Sequence, residues 1–233
     1  MRKKDFESRI GKLILDRNFP YLQPYFYNHP FALRCELGIG EDAETYLKNA
    51  SDRAERIFSI LFPDGPDAVF FNDYVIDDSD SGEAEDDPEE IETAIRNRIG
   101  REAERLRFLI GYRMRYRHIT VRCLALPDPE LADEVLRRNR IVCYSDGKGF
   151  DCKKLMLRQL TDGNSPGISF VSFRNECIYS IYDDRGCDIV FAVYEKMAEF
   201  YARLEPFFLP YDAEEMLRRR NAGREHSDPH LQL

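Results

Sequence analysis

Apolar residues along this chain recur at two periods, and the two alternate in blocks. Phe6, Ile10, Leu13 and Ile14 stand at helical spacing and predict a short amphipathic helix over 4–15. The connector FPYLQPYFYNHP follows, where Pro20, Pro24 and Pro30 forbid a continuing helix. FALRCELGI (31–39) alternates as a strand does and ends at Gly38 and Gly40. Tyr46, Leu47, Ala50, Ala54, Ile57, Phe58 and Leu61 then form one helical stripe, opened by Asp42 as N-cap and stopped at Pro63-Asp64-Gly65-Pro66. AVFFNDYVI (68–76) predicts a second strand.

Beyond an acidic stretch, Pro88 opens a helix expected to run towards Ile110, and RYRHITVRCLAL (115–126) alternates again. Another helix is expected from about Pro129; the glycine-containing stretch from Cys143 to Phe150 predicts no element. LMLRQLT (155–161), ISFVSF (168–173), CIYSIYD (177–183) and CDIVFA (187–192) read as a meander of short strands, which favours antiparallel pairing. A helix over 193–205 and a shorter one to about Arg220 close the pattern. The expected fold is therefore α+β: a mixed, mostly antiparallel sheet with helices packed on it. We expect one domain over 1–220 with an exposed acidic loop at 77–88, and a polar, flexible tail over 221–233.

Charge changes this picture only locally. The net charge is −9, yet ten acids and no base lie between Asp77 and Glu92, and the rest of the chain carries +1. Eight arginines follow between Arg96 and Arg117. A pI of about 5.1 disfavours nucleic acid as a partner and leaves a basic protein as the expected one. The arginine run reads first as a solvated face balancing the acids.

No apolar run is long enough for a membrane span, and six cysteines stand singly without C-x-x-C spacing. A cytoplasmic protein with free thiols is the expectation. The oligomeric state is open.

Candidate chemistry is sparse. Gly38, Gly40 and Ala43 fit G-x-G-x-x-A, but Glu41 and Asp42 would repel a pyrophosphate, so a strand exit and capped helix is preferred. The four histidines are too scattered for a metal site, and neither a metal nor another cofactor is implied. No G-x-S-x-G elbow occurs.

The stretch CIYSIYDDRGCDIVF holds the strongest candidates. Its Asp-Asp-Arg-Gly suits a hairpin turn, with an aspartate bonding nearby backbone, Gly186 at positive φ and Arg185 against an acid on a neighbouring strand. The functional alternative makes Asp183 or Asp184 a general base and Arg185 an anion clamp.

IYSIYDDRGCDIVF, followed by a helix containing Tyr201 and then by FFLPYDAEEM, resembles a bacterial family, the domain-of-unknown-function family 3885. The upstream FYNHPFALRCELG is also similar to that family's early strand. The resemblance is most specific over 168–220 and weaker over 25–40; the stretch 77–117 has no counterpart. It implies a cytoplasmic bacterial protein and marks Tyr182, Asp183, Asp184, Arg185, Gly186, Tyr211 and Asp212 as motif positions, but carries no activity with it. Tyr182, Arg185, Tyr211 and Asp212 are the binding candidates, and Asp183, Asp184 and Arg185 the catalytic ones.

With no catalytic signature, the expected role is a non-enzymatic protein-interaction module with an acidic surface, an inhibitor or immunity-like protein among the possibilities. The alternative is an enzyme or small-anion-binding protein using the Asp183/Asp184/Arg185 hairpin.

Overall fold

The computed structural model describes residues 3–13, 25–76, 96, 117–123, 138–145, 151–161 and 167–227. The chain divides into two compact units, residues 1–71 with 146–233, and residues 72–145. The first holds helices α1 (Lys3–Leu13), α2 (Tyr25–Asn28) and α3 (Ala43–Leu61), α4 (Cys152–Thr161), α5 (Tyr194–Leu204) and α6 (Ala213–Ser227). Its strands are β1 (Ala32–Glu36), β5 (Gly167–Ser172), β6 (Cys177–Ile181), β7 (Gly186–Phe191) and the start of β2 (Ala68–Ile76). They run in the order β1-β7-β6-β5-β2, and β1, β7, β6 and β5 pair antiparallel. In the second unit β3 (Arg117–Cys123) pairs antiparallel with β4 (Arg138–Ser145). The architecture is α+β, as the alternation of periods predicts.

Four local expectations need correction or extension. LMLRQLT is not a strand but most of α4: Leu155, Met156, Gln159 and Leu160 are buried together, a helical spacing. Asp151 opens that helix, its carboxylate accepting the N–H of Lys154 at 3.0 Å. The strand β4 falls partly in the stretch assigned no element. The prolines of the connector permit one short helical turn, α2. The last helix runs past Arg220 to Ser227. The acidic loop 77–88 lies outside the described residues, as do all of the helix expected from Pro88 except Arg96, which is helical and exposed.

The two faces of the sheet in the first unit differ in chemistry. One face carries Leu33, Cys35, Cys187, Ile189, Phe191, Tyr179, Ile181, Ile168 and Phe170, all fully buried. Helix α3 covers it: Phe58 meets Phe170 edge-on at 5.1 Å, Phe62 lies 6.4 Å from Tyr179, and the Tyr179 hydroxyl donates to the Ala54 carbonyl at 3.3 Å. Helix α5 adds Phe200, stacked on Phe191 at 5.6 Å. Burying these side chains, at about 1.5–3 kcal/mol each, is the main apolar stabilisation of the unit.

The opposite face carries a polar row. Arg34 on β1 stands opposite Asp188 on β7, which stands opposite Ser180 on β6, which stands opposite Ser169 on β5. All four are buried, and the Ser169 hydroxyl donates to that of Ser180 at 3.0 Å. Helix α2 and helix α6 pack at the Arg34 end of this row.

Candidate functional site

The hairpin that the motif predicts is present, but its parts separate. Asp183 accepts the backbone N–H of Arg185 on one carboxylate oxygen at 2.9 Å, and its other oxygen accepts the Arg185 Nε–H at 2.8 Å and a terminal guanidinium N–H. Arg185 therefore pairs inside its own turn, not with an acid on a neighbouring strand. Its side chain is 77% exposed, while its carbonyl accepts the N–H of Leu37 at 2.9 Å and so joins the turn to the end of β1. Asp184 is half-buried. With Asp183 it adds to burial in raising the pKa of Tyr46.

Gly186 corrects another expectation, since its φ is not in the left-handed region. The glycine is needed for space. A Cβ there would overlap the Tyr182 hydroxyl and come within 2.8 Å of the Cys35 carbonyl. Tyr182 thus lays its phenol across the backbone of β7, and burial raises its pKa.

The ring of Tyr182 also faces Arg34, 5.6 Å from its guanidinium carbon. Backbone bonds from Leu37 to Arg185 and from Phe191 to Phe31 mark the hydrogen-bonded pairs of the β1–β7 ladder. Arg34 and Asp188 fall between them, at a non-hydrogen-bonded pair, where opposed side chains approach most closely. The contact is bidentate: Arg34 Nε donates to Asp188 Oδ1 at 2.8 Å and a terminal nitrogen to Oδ2 at 3.2 Å. The backbone N–H of Phe26 adds a third hydrogen bond to Oδ2 at 3.0 Å.

Three rings surround the guanidinium, Tyr27 at 4.5 Å, Phe26 at 4.9 Å and Tyr182 at 5.6 Å. Burial works against its charge, but the bonds and charge of Asp188, helped by Tyr182 and Tyr27, outweigh this and raise its pKa.

Asp212 completes the cluster from the C-terminal side. Its Oδ2 stands 3.7 Å from an Arg34 terminal nitrogen, close enough for charge attraction but too far for a hydrogen bond. That oxygen is buried and makes no hydrogen bond. Burial raises the carboxyl's pKa, with Asp188 and Glu215 adding to the rise and Arg34 and Arg219 opposing it. The flanking chain is fixed to β1, because Leu209 N–H donates to the Arg34 carbonyl at 3.1 Å and Arg34 N–H meets the Met216 sulfur at 3.3 Å.

Of the sequence-derived candidates, Tyr182 and Asp212 therefore meet at Arg34, whereas Asp183 and Arg185 form a separate surface turn. Tyr211 is 87% exposed and turned outward. Sequence reasoning missed Arg34, Asp188, Phe26 and Tyr27. Strand alternation placed Arg34 and Asp188 in polar phase, which reads as a solvent face; only an arginine and an aspartate in strands of one sheet hint at pairing.

Other candidate chemistry is used structurally. At Gly38-x-Gly40-x-x-Ala43, Asp42 caps α3, its carboxylate accepting the Thr45 N–H at 2.9 Å, and that bond lowers its pKa. A Cβ on Gly38 would strike the Tyr46 ring, so the turn is filled by its own helix. Burial raises the thiol pKa of Cys177 and Cys187, and that of Cys152 to about 11, which keeps these thiols protonated. Among the described residues no group of three or more His, Cys, Asp or Glu is placed to hold a metal ion. No helix among them is long and apolar enough to cross a membrane.

Neither a curated protein nor a solved structure matches the chain. A family model does, over residues 12–212, which take in β1, the YDDRG hairpin, Arg34, Asp188 and Asp212. The chain belongs to the family described as a domain of unknown function, DUF3885.

Proposed function

We propose that this chain is a non-enzymatic protein-interaction module of a bacterial cytoplasm, inhibitor or immunity-like, whose acidic segment meets a basic partner. One observation supports this reading above the others: the arginine offered as an anion clamp is already engaged by an acid of its own turn. Asp183 holds Arg185, and Asp188 holds Arg34, so both arginines that could clamp an anion already bind and shape the protein itself. The ten acids between Asp77 and Glu92 are the largest charge feature left for recognition. Opposite charge accelerates association and makes its rate sensitive to salt.

The test begins with proteins retained from a bacterial lysate by the immobilised chain. Their association rates are then measured from about 0.02 M to about 0.5 M salt. A steep fall with salt is expected, together with a comparable fall when the ten acids are replaced by Asn and Gln. A rate indifferent to both changes would remove the electrostatic argument. The competing enzyme or anion-binding reading, with Asp184 as base and Arg185 as clamp, is separated by Asp184→Asn. A loss of small-anion binding at unchanged thermal stability would favour that alternative.

A further inference from the structure

Helix α6 is held by polar contacts more than by an apolar face. Among its residues 213–222 only Met216 is buried, and Leu217 is exposed. Its main anchor is Arg219, whose terminal nitrogen donates to the carbonyls of Phe26 at 2.7 Å and His29 at 3.1 Å. Glu215, one turn earlier, accepts the Arg219 Nε–H at 2.6 Å and aims the guanidinium, which lies 4.3 Å from the Phe26 ring. A second tie comes from the Tyr194 hydroxyl, which donates to the Arg220 carbonyl at 2.9 Å.

One of the carbonyls that receive Arg219 belongs to α2 and the other to the corner that joins α2 to β1. The shape of that corner depends on the state of one side chain. His29 is only 3% exposed, and its Nδ1 accepts the backbone N–H of Phe31 at 3.2 Å. A ring nitrogen that accepts a hydrogen bond carries no proton, so this corner is built on neutral imidazole. Protonation would abolish the bond to Phe31 and place a buried cation beside the Arg219 anchor.

We propose that His29 is an acid-sensitive release for the C-terminal helix: protonation of its imidazole opens the corner 26–31 and frees α6, while the sheet stays folded. The family match ends at 212 and α6 begins at Ala213, so the device stands at the junction between the matched domain and the segment that follows it.

Burial, followed by the charge of Arg219, holds His29 at about 4, below its ordinary 6.5, while a backbone hydrogen bond to Leu13 opposes the shift. Above pH 6.5 the imidazole is neutral in both states; between 6.5 and 4 it is charged only when released. Release therefore becomes more favourable by up to tenfold per pH unit, about 30-fold at pH 5.

The surrounding charges do not reproduce this response. Glu215 on α6, held down to about 2 by Arg218 and Arg219, keeps its charge throughout. Arg34 on β1 and Asp188 on β7, beside Phe26, are locked together by two hydrogen bonds. Asp212, whose pKa burial raises, binds its proton more readily in the docked state and so pulls the other way as pH falls.

The test is amide hydrogen exchange of the full chain at about pH 7.5 and about pH 5, corrected for intrinsic rates. Residues 213–227 should lose about 30-fold in protection at the lower pH, while β6 and β7 keep theirs. In His29→Asn the amide oxygen can accept the Phe31 N–H without titrating, so the response should vanish; in Asp212→Asn it should remain. Equal protection of 213–227 at both pH values would overturn the proposal. So would an undiminished response in His29→Asn, or loss of protection in β6 and β7 in step with the helix. Should His29→Asn fail to fold, NMR titration of His29 in the native chain decides: an imidazole that titrates near 6.5 with α6 still docked refutes the release.

Discussion

Asp188→Ala removes three hydrogen bonds at once. Arg34 loses both of its carboxylate contacts and Phe26 N–H loses its acceptor. The guanidinium cannot turn to water, since its side chain is 10% exposed, and among the described residues Asp212 at 3.7 Å is the acid left to balance it. Breaking a buried pair by deleting one partner costs about 3–5 kcal/mol, because a desolvated charge is left behind. The stranded Phe26 N–H adds about 1–3 kcal/mol. Against a total stability of about 5–15 kcal/mol, the variant should stand close to unfolding at room temperature. Urea unfolding followed by circular dichroism reads this as a large drop in midpoint at unchanged slope. Adding Arg34→Met should restore much of the loss, because it withdraws the unpaired charge and leaves an apolar chain among Phe26, Tyr27 and Tyr182. Two results would refute the reasoning: an Asp188→Ala cost no larger than that of Asp183→Ala, or a double variant whose losses simply add.

Asp183→Ala should cost about 1 kcal/mol or less, because Arg185 is exposed and such pairs are screened, and a thermal melt should show the sheet intact. Gly186→Ala should cost about 1–3 kcal/mol through overlap with the Tyr182 hydroxyl and the Cys35 carbonyl, with part recovered by shortening Tyr182 to Leu. Asp212→Asn should be neutral or stabilising at pH 7. Burial raises the folded carboxyl above its ordinary 3.8, so its charge opposes folding at neutral pH. That penalty fades as pH falls through the folded value, and the melting temperatures of native and variant chains should converge below about pH 4.

Periodicity made the architecture legible. The stripe of α3, its Asp42 cap, β1, β6 and β7 could all be read from spacing, because each element has one face that must be buried. Where the pattern misled, competing forces are visible. LMLRQLT opens with three consecutive apolar residues, a run too short to tell a strand from a buried helix, but Cys152 and Lys153 extend it into a helix that Asp151 caps. Arg34 and Asp188 occupy polar phase on strands whose polar face is covered by α2 and α6; α2 is distant in sequence from β7, and α6 from β1. The DDRG turn was legible as a turn. What could not be read was that its arginine pairs within the turn and that its glycine makes room for Tyr182, since both depend on side-chain directions.

The buried pair raises the question of what it does that two apolar residues would not. Desolvating both charges makes such pairs poor sources of stability compared with well-packed hydrophobes. Their better use is to penalise wrong arrangements. β1 lies at one end of the strand order and meets β7 across 154 residues of chain, so no short turn fixes its register. A slip of one residue would carry Arg34 to the face where Phe170, Tyr179 and Phe191 are packed, and would leave Asp188 without a partner. The cost of that error exceeds anything the pair gains in the correct register. The double variant Arg34→Met/Asp188→Ala should therefore recover stability without recovering uniqueness. Its melting point should approach that of the native chain, while NMR resonances of β1 and of the segment bridged to it at Phe208 broaden or double. A single sharp set of β1 signals in that variant would show that Leu33, Cys35 and the Phe208 bridge are enough to place the strand, and that the ion pair is dispensable for register.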